Sequence, residues 1–155
     1  MPTHSENRVM PYTPQQMFDL IADVASYPQF LPWCAAARIR SRDETPAGEV
    51  MDADLVISFK VFRERFTSRV TMRPEDGQID VEYLDGPFKY LINSWSFVPD
   101  DGGTRVKFHV DFEFRSRALQ AVIGVVFYEA MRRIVSAFEK RAAVLYGSTP
   151  QIASA

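Results

Sequence analysis

The chain has few side chains of the kinds that perform nucleophilic or metal chemistry. It contains two histidines, His4 and His109, and one cysteine, Cys34. A metal site needs several converging ligands, and a catalytic thiol needs a base within reach. His4 falls in an N-terminal stretch expected to be flexible. His109 falls between Lys107 and Asp111 on the polar side of a predicted strand, which favours a solvated or cross-strand role. We therefore expect no metal and no cofactor, and we interpret Cys34 as a small buried side chain.

Phosphate and acid–base chemistry also lack a clear signature. The paired glycines Gly102 and Gly103 fall in a predicted hairpin turn, whereas a phosphate loop would join a strand to a helix. The carboxylates are scattered over strand faces expected to be solvated, so no general acid/base pair can be assigned. No catalytic residue is predicted, and the sequence indicates binding more than catalysis.

The C-terminal part of the chain supplies the positive signal. One face of a predicted strand carries five apolar residues, and a long helix with an apolar stripe follows it. The strand residues are Val106, Phe108, Val110, Phe112 and Phe114, and the stripe passes Leu119, Val122, Val126, Ile134, Phe138 and Leu145. Two such faces must bury each other. Gly124, midway along the helix, either lets the backbone approach the sheet or leaves room beside it. An aromatic cleft without reactive groups suggests a container for an apolar molecule.

The remaining pattern predicts an α+β fold. An extended segment over residues 5–12 precedes a helix with Thr13 as N-cap, Pro14 at its first position and Gln16 completing a capping box. Tyr27-Pro28 is expected to end this helix, and a short second helix or turn is expected at Phe30 and Leu31. Period-two alternation with intervening turns, including one near Lys60, then predicts antiparallel strands up to Phe114. We expect a curved sheet of about six or seven strands around a C-terminal helix of about 30 residues.

Length and charge limit the class of protein. A chain of 155 residues forms one domain that buries roughly 70% of its unfolded surface. We place this domain at residues 1–146 and a flexible tail at 147–155. The net charge of −2 argues against broad capture of nucleic acid, so no DNA partner is expected. No secretory signal is recognisable, and the apolar run from Leu119 to Met131 is too short to span a bilayer. We expect a cytoplasmic protein that meets a membrane only from the side.

A basic run occupies the middle of the chain. Lys60, Arg63, Arg65, Arg69 and Arg73 are accompanied by Glu64 alone, and Arg63, Arg65 and Arg69 share strand parity. One interpretation is a solvated sheet surface paired with acidic neighbours such as Asp52, Asp54, Asp80 or Glu82. The other is a surface for anionic lipid headgroups, a protein partner or ribosomal RNA.

Several segments together carry a family resemblance. They read Tyr27-Pro28-Gln29-Phe30-Leu31-Pro32-Trp33-Cys34, Phe66-Thr67-Ser68-Arg69-Val70, Gly86-Pro87-Phe88-Lys89, Trp95-Ser96-Phe97, Phe112-Glu113-Phe114 and Ala137-Phe138-Glu139-Lys140-Arg141-Ala142. With these motifs the chain, over residues 5–146, resembles the coenzyme Q-binding and ribosome-association-toxin branch of the START-like (polyketide cyclase/lipid transport) superfamily.

The resemblance implies a helix-grip fold with a hydrophobic cavity between the sheet and the last helix. It implies a non-enzymatic lipid chaperone that binds a polyprenyl quinone and supports quinone biosynthesis and respiration. Each buried isoprene unit could contribute up to roughly 3 to 4 kcal/mol. Strand parity and helix spacing then select the cavity residues. They are Phe30, Leu31 and Trp33 at the mouth, with Leu91, Trp95, Phe108, Val110, Phe112, Val122, Ile123, Val126 and Phe127 as wall.

Two other functions are consistent with the same resemblance. The first is a ribosome-binding protein that inhibits subunit association through Arg63, Arg65 and Arg69. The second is an aromatase/cyclase-like enzyme, since other members of the superfamily perform such chemistry in the same cavity.

Overall fold

The computed structural model describes residues 3–46, 48–59 and 62–147. The strands are β1 (Thr3–Met10), β2 (Cys34–Thr45), β3 (Gly48–Phe59), β4 (Phe62–Arg73), β5 (Gln78–Asp85), β6 (Phe88–Asp100) and β7 (Gly103–Phe114). The helices are α1 (Pro14–Ala22), a short 3-10 helix (Val24–Gln29) and α2 (Arg117–Tyr146). The predicted turn at Lys60 and the predicted tail beyond Gly147 lie outside the described residues.

All strands join one antiparallel sheet in the order β1-β7-β6-β5-β4-β3-β2. Strands β2 to β6 each pair with the next strand along the chain, and β1 pairs with β7. Two register shifts interrupt the β2–β3 ladder, between Cys34 and Ala36 and between Ile39 and Ser41. Such irregularities increase the local twist of a sheet. The curved seven-stranded sheet with a long C-terminal helix confirms the predicted fold class.

The start of α1 follows its local sequence. The Gln16 amide donates to the Thr13 hydroxyl over 3.0 Å, and the Thr13 amide donates to the Gln16 side chain over 2.9 Å. This capping box confirms the prediction. The predicted break is wrong in detail, because α1 ends at Ala22 and Tyr27-Pro28 lies inside the 3-10 helix. The second helix therefore precedes Phe30 and Leu31. A short 3-10 segment makes few intrahelical bonds, so it loses little by including a proline.

The buried side of α2 is rotated from the predicted stripe. Its fully buried residues are Leu119, Ala130, Met131, Val135, Phe138 and Ala142. Leu145 is 47% exposed, and Val122 and Val126 are only partly buried. From Leu119, steps of three or four residues lead equally well to Val122 or to Ile123, and both are apolar. At 3.6 residues per turn, the Ile123 track stays on the same side as Ile134 and Phe138. Sequence spacing alone could not choose between the two tracks.

One carboxylate on the outer face of the sheet is buried, although the sequence predicted that it would be solvated. Asp54 is only 3% exposed. It accepts hydrogen bonds from Arg40 Nε at 2.8 Å and from the Thr67 hydroxyl. Burial by itself raises the pKa of Asp54, but the hydrogen bonds from Thr67 and Arg40 outweigh it and hold that pKa below its usual value. Asp54 therefore ties β3 to β2 and β4 from outside the sheet.

Both histidines have local hydrogen-bond partners. The Ser5 hydroxyl lies 2.7 Å from His109 Nδ1 across the β1–β7 pair, which is the expected cross-strand role. His4 corrects the expectation of a flexible N-terminus, because it belongs to β1. Its Nε2 lies 3.1 Å from the Glu6 carboxylate, and its ring contacts Phe108 with centroids 6.1 Å apart.

Candidate functional site

A cavity of about 260 Å³ lies between the inner face of the sheet and α2. Strands β3 to β7 contribute inward-facing side chains, α2 closes one side, and the segment after α1 closes another. The sheet residues are Leu55, Ile57, Phe59, Phe66, Ser68, Val70, Ile79, Val81, Phe88, Leu91, Asn93, Trp95, Phe108, Val110, Phe112 and Phe114. The α2 residues are Ile123, Ala130, Met131, Ile134 and Phe138, and the segment 21–34 adds Ile21, Val24, Tyr27, Leu31, Pro32, Trp33 and Cys34.

The residues selected from the sequence divide into two groups. Those on the sheet and two of the mouth residues line this cavity, together with one helix residue: Leu31, Trp33, Leu91, Trp95, Phe108, Val110, Phe112 and Ile123. The others do not line it: Phe30, Val122, Val126 and Phe127. Phe127 packs on Phe112 with ring centroids 5.5 Å apart, and the partly buried Phe30 lies under Arg141. Val122 and Val126 lie on the side of α2 that is turned away from the cavity, unlike Ile123.

Sequence reasoning missed the contribution of β3 and β4 to the cavity. Leu55, Ile57 and Phe59 of β3 line the cavity together with Phe66 and Val70 of β4. Strand parity had placed them on one apolar face, so the signal was present. What parity could not show is that curvature brings this half of the sheet around to the same space as β7 and α2.

Several wall residues are partly exposed, and we interpret the group around Trp33 as the mouth. Leu31, Trp33, Ile57, Phe59 and Ile134 line the cavity yet keep some contact with solvent. Trp33 has φ 64°, a conformation that bulky residues rarely adopt. Its carbonyl accepts a hydrogen bond from the Ser58 amide at 2.8 Å, and its ring meets Phe59 edge-on at 5.4 Å. These contacts hold a strained residue so that its indole covers the β3 side of the mouth.

Three aromatic rings form a partition beside the mouth. Tyr27 contacts Phe138 and Phe30 at centroid distances of 5.5 and 6.0 Å, and Phe30 contacts Phe138 at 5.4 Å. The Tyr27 hydroxyl donates to the carbonyl of Ile21. Burial raises the pKa of Tyr27 strongly, and the nearby Cys34 and Asp23 add to the effect. The phenol therefore stays protonated and serves as a structural donor.

Polar groups in the wall are sparse. Ser68 is almost fully buried, and Asn93 donates from Nδ2 to the carbonyl of His109 at 2.9 Å. Burial raises the pKa of the Cys34 thiol, although a hydrogen bond with the Ala36 backbone opposes the rise. Because the thiolate is the reactive form, the site disfavours nucleophilic chemistry at Cys34. Within the described ranges, no cluster of histidine, cysteine and carboxylate side chains is suited to hold a metal ion.

The arginines singled out from the sequence project from the outer face of β4 and are exposed. Arg69 forms two hydrogen bonds to Asp52, at 2.9 and 3.1 Å. The hydrogen bond from Arg69 holds the pKa of Asp52 below its usual range. Arg73 is paired with Asp80. The interpretation as a solvated surface paired with acidic neighbours therefore applies to Arg69 and Arg73. Arg63 and Arg65 lie on the same surface, nearer the start of β4.

No helix within residues 3–46, 48–59 and 62–147 has both the length and the hydropathy required to cross a lipid bilayer.

Comparison with known proteins gives consistent results. The family model described as "Polyketide cyclase / dehydrase and lipid transport" matches residues 10–139. A "Ribosome association toxin RatA" of Rickettsia prowazekii is 42% identical over 145 residues, which is 92% of this chain and 97% of that protein. A "Coenzyme Q-binding protein COQ10 homolog B, mitochondrial" of Xenopus laevis is 33% identical over 149 residues, covering 93% of this chain and 59% of the longer relative.

A solved structure agrees with these relatives. The solution structure of an 18 kDa protein from Caulobacter crescentus, 38% identical in sequence, superposes with a TM-score of 0.79. The match covers 96% of this chain and 100% of the Caulobacter protein. The family match spans most of the chain, and the relatives align over nearly its full length. The chain therefore belongs to the polyketide cyclase / dehydrase and lipid transport family.

Proposed function

We propose that this protein binds a polyprenyl quinone or a similar lipid in the cavity and acts as a lipid chaperone for quinone biosynthesis and respiratory electron transport. The observation that carries the proposal is the apolar space between the sheet and α2. A relative named as a coenzyme Q-binding protein supports the choice of ligand. Among the described wall residues, Tyr27 and Cys34 are the ones that titrate, and the pKa of each is raised. Both are therefore neutral, which favours a non-enzymatic role.

The cavity volume limits what it can enclose. Small-molecule sites usually measure roughly 300–1,000 Å³, and 260 Å³ lies just below that range. A long polyprenyl quinone would therefore be enclosed only in part, with the rest of its chain leaving through the mouth. Two or three buried isoprene units, at roughly 3 to 4 kcal/mol each, would suffice to hold it. A ligand that protrudes in this way suits a cytoplasmic protein that contacts the inner face of a membrane transiently.

The test uses two tryptophan substitutions on the same helix. Ile134 lines the cavity, whereas Val126 does not. In the variant Ile134→Trp the indole should occupy ligand space and weaken binding of a short-chain ubiquinone at least tenfold, about 1.4 kcal/mol. Val126→Trp is the matched control and should bind like the wild type. Lipid extraction of the purified protein followed by mass spectrometry should identify the bound species.

Two results would contradict the proposal. One is repeated purification without any isoprenoid lipid combined with no binding of added quinone. The other is equal binding by both tryptophan variants, provided that their urea unfolding midpoints show that both are folded.

The second candidate is a ribosome-binding protein that inhibits subunit association. Relatives named ribosome association toxins favour it, since one is 42% identical and aligned over 97% of its length. Arg63 and Arg65 are exposed on the outer face of β4, where they could contact ribosomal RNA. Co-sedimentation with ribosomal subunits at low and high salt tests this candidate. Binding that is lost in Arg63→Glu/Arg65→Glu would support it, and no binding at low salt would eliminate it.

A further inference from the structure

A second concavity lies on the outer side of α2, distinct from the ligand cavity. This groove measures about 640 Å³ and runs between α2 and the segment that contains Phe30 and Pro32. Its α2 wall carries four basic residues, Arg132, Arg133, Lys140 and Arg141, with Glu129 as the acidic one. The whole chain has a net charge of −2, so this concentration of positive charge opposes the overall sign. Charge complementarity therefore calls for an anionic occupant.

Little of this charge is neutralised inside the protein. Glu129 is paired with Arg133 at 3.3 Å on the exposed helix surface. Arg141 donates to the Gln29 side chain at 3.1 Å and lies 5.2 Å from the centre of the Phe30 ring. Its Nε is buried and has no hydrogen-bond partner among the described residues. Arg132 lies over the Tyr128 ring at 5.9 Å, and Lys140 is exposed. The groove thus presents several cations to its surroundings.

Apolar side chains are also exposed on α2: Val144 lines the groove, and Val125 and Tyr128 lie outside it. Val125 is 85% exposed, Tyr128 is 67% exposed and Val144 is 75% exposed. Exposed aliphatic and aromatic groups interspersed with lysine and arginine are typical of helices that lie in a membrane interface. RNA would use the cations but would gain little from Val125 and Val144. The apolar residues therefore favour an anionic bilayer over a nucleic acid.

The groove adjoins the ligand cavity. Pro32 lines both of them. Phe30 of the groove touches Phe138 of the cavity wall, with ring centroids 5.4 Å apart. One layer of aromatic rings therefore separates the two spaces, beside the mouth residues Leu31 and Trp33. A surface that covers the groove lies next to the mouth.

We propose that the exposed side of α2, formed by Val125, Arg132, Arg133, Lys140 and Val144, docks on an anionic phospholipid bilayer. Docking brings the cavity mouth to the level of the headgroups, where a partly enclosed lipid can pass between the membrane and the protein. The proposal rests on the proposed lipid-carrier function. It transfers the membrane contact from the Arg63, Arg65 and Arg69 surface on the sheet to α2.

Vesicle flotation without any quinone tests the helix face. The wild type should float with vesicles of phosphatidylcholine containing about 30% phosphatidylglycerol and not with phosphatidylcholine alone, and binding should fall steeply at high salt. Arg132→Gln/Lys140→Gln should weaken binding about thirtyfold, because each basic residue near an anionic surface contributes roughly fivefold in affinity. Val125→Asp should weaken it further. Arg63→Gln/Arg65→Gln removes the same charge from the sheet surface and should change binding less than twofold.

The proposal is overturned if the wild type ignores anionic vesicles at low salt, or if the sheet pair weakens flotation as much as the helix pair. It also fails if the helix pair keeps vesicle binding and instead loses co-sedimentation with ribosomal subunits, which would assign the groove to RNA. A separate readout distinguishes this failure from that of the carrier function. Ile134→Trp should lose quinone yet still float, and Arg132→Gln/Lys140→Gln should bind quinone in vesicle-free buffer.

Discussion

The two halves of β3 share one apolar face but end in different surroundings. Met51 and Ala53, in the first half, are 0% exposed and belong to the closed core. Leu55, Ile57 and Phe59, in the second half, line the cavity and keep some solvent contact. The alternation along the strand is the same throughout. Alternation therefore shows which side chains point inward, but whether the space inside is filled depends on other elements of the fold.

The largest effect on stability should come from the first half of β3, which packs into the closed core. Met51→Ala removes a fully buried side chain and leaves a hole that the close-packed neighbours cannot refill. We expect the free energy of unfolding to fall by about 2–5 kcal/mol. Urea denaturation followed by circular dichroism measures it. A loss below about 1 kcal/mol would show that the core near Met51 is as loosely packed as the cavity. The two halves of β3 would then not differ in packing.

An intermediate effect should come from the outer face. Beside Leu55, where the inner face meets a cavity, Asp54 anchors β3 through Arg40 and Thr67. Asp54→Asn should lower the free energy of unfolding at pH 7 by about 1–3 kcal/mol, because buried hydrogen bonds to a charged group are weakened.

The Asp54 contribution has a defined pH dependence. The pKa of Asp54 is lowered in the folded protein from its usual 3.8, so its contribution is fully present above that pH. It is lost as the pH falls through the folded-state pKa. The gap in unfolding free energy between wild type and Asp54→Asn should therefore be constant near neutrality and shrink below about pH 4. A gap that stays unchanged down to pH 3 would mean that the charge of Asp54 does not stabilise β3.

The smallest effect on stability should come from the cavity half. Ile57→Ala enlarges a space that is already present, so the free energy of unfolding should fall by about 1 kcal/mol or less. The same change should weaken quinone binding several-fold, since Ile57 lines the cavity. Urea denaturation and quinone titration of one preparation give both values. If Ile57→Ala destabilises the protein as much as Met51→Ala, the space beside Ile57 is part of the closed core.

The elements that the sequence predicted well depend on short-range physics. The capping box of Thr13 and Gln16 needs only four neighbouring residues, and the hairpin pairing of Arg69 with Asp52 needs two adjacent strands. The less successful predictions concern relations between distant elements. The choice between Val122 and Ile123 depended on how α2 is rotated against the sheet, and the burial of Asp54 depended on Arg40 two strands from Thr67.

The sequence by itself determined the order of elements, the antiparallel alternation, the N-cap of α1 and the presence of an apolar sheet face opposite an apolar helix. These follow from side-chain chemistry at spacings of two to four residues, which the chain carries locally. Only the tertiary structure decided that the space between them remains partly empty, that β3 and β4 help to enclose it, and that a basic groove adjoins its mouth. Those features arise because sheet curvature and helix rotation bring together residues far apart in sequence, and no local spacing encodes either one.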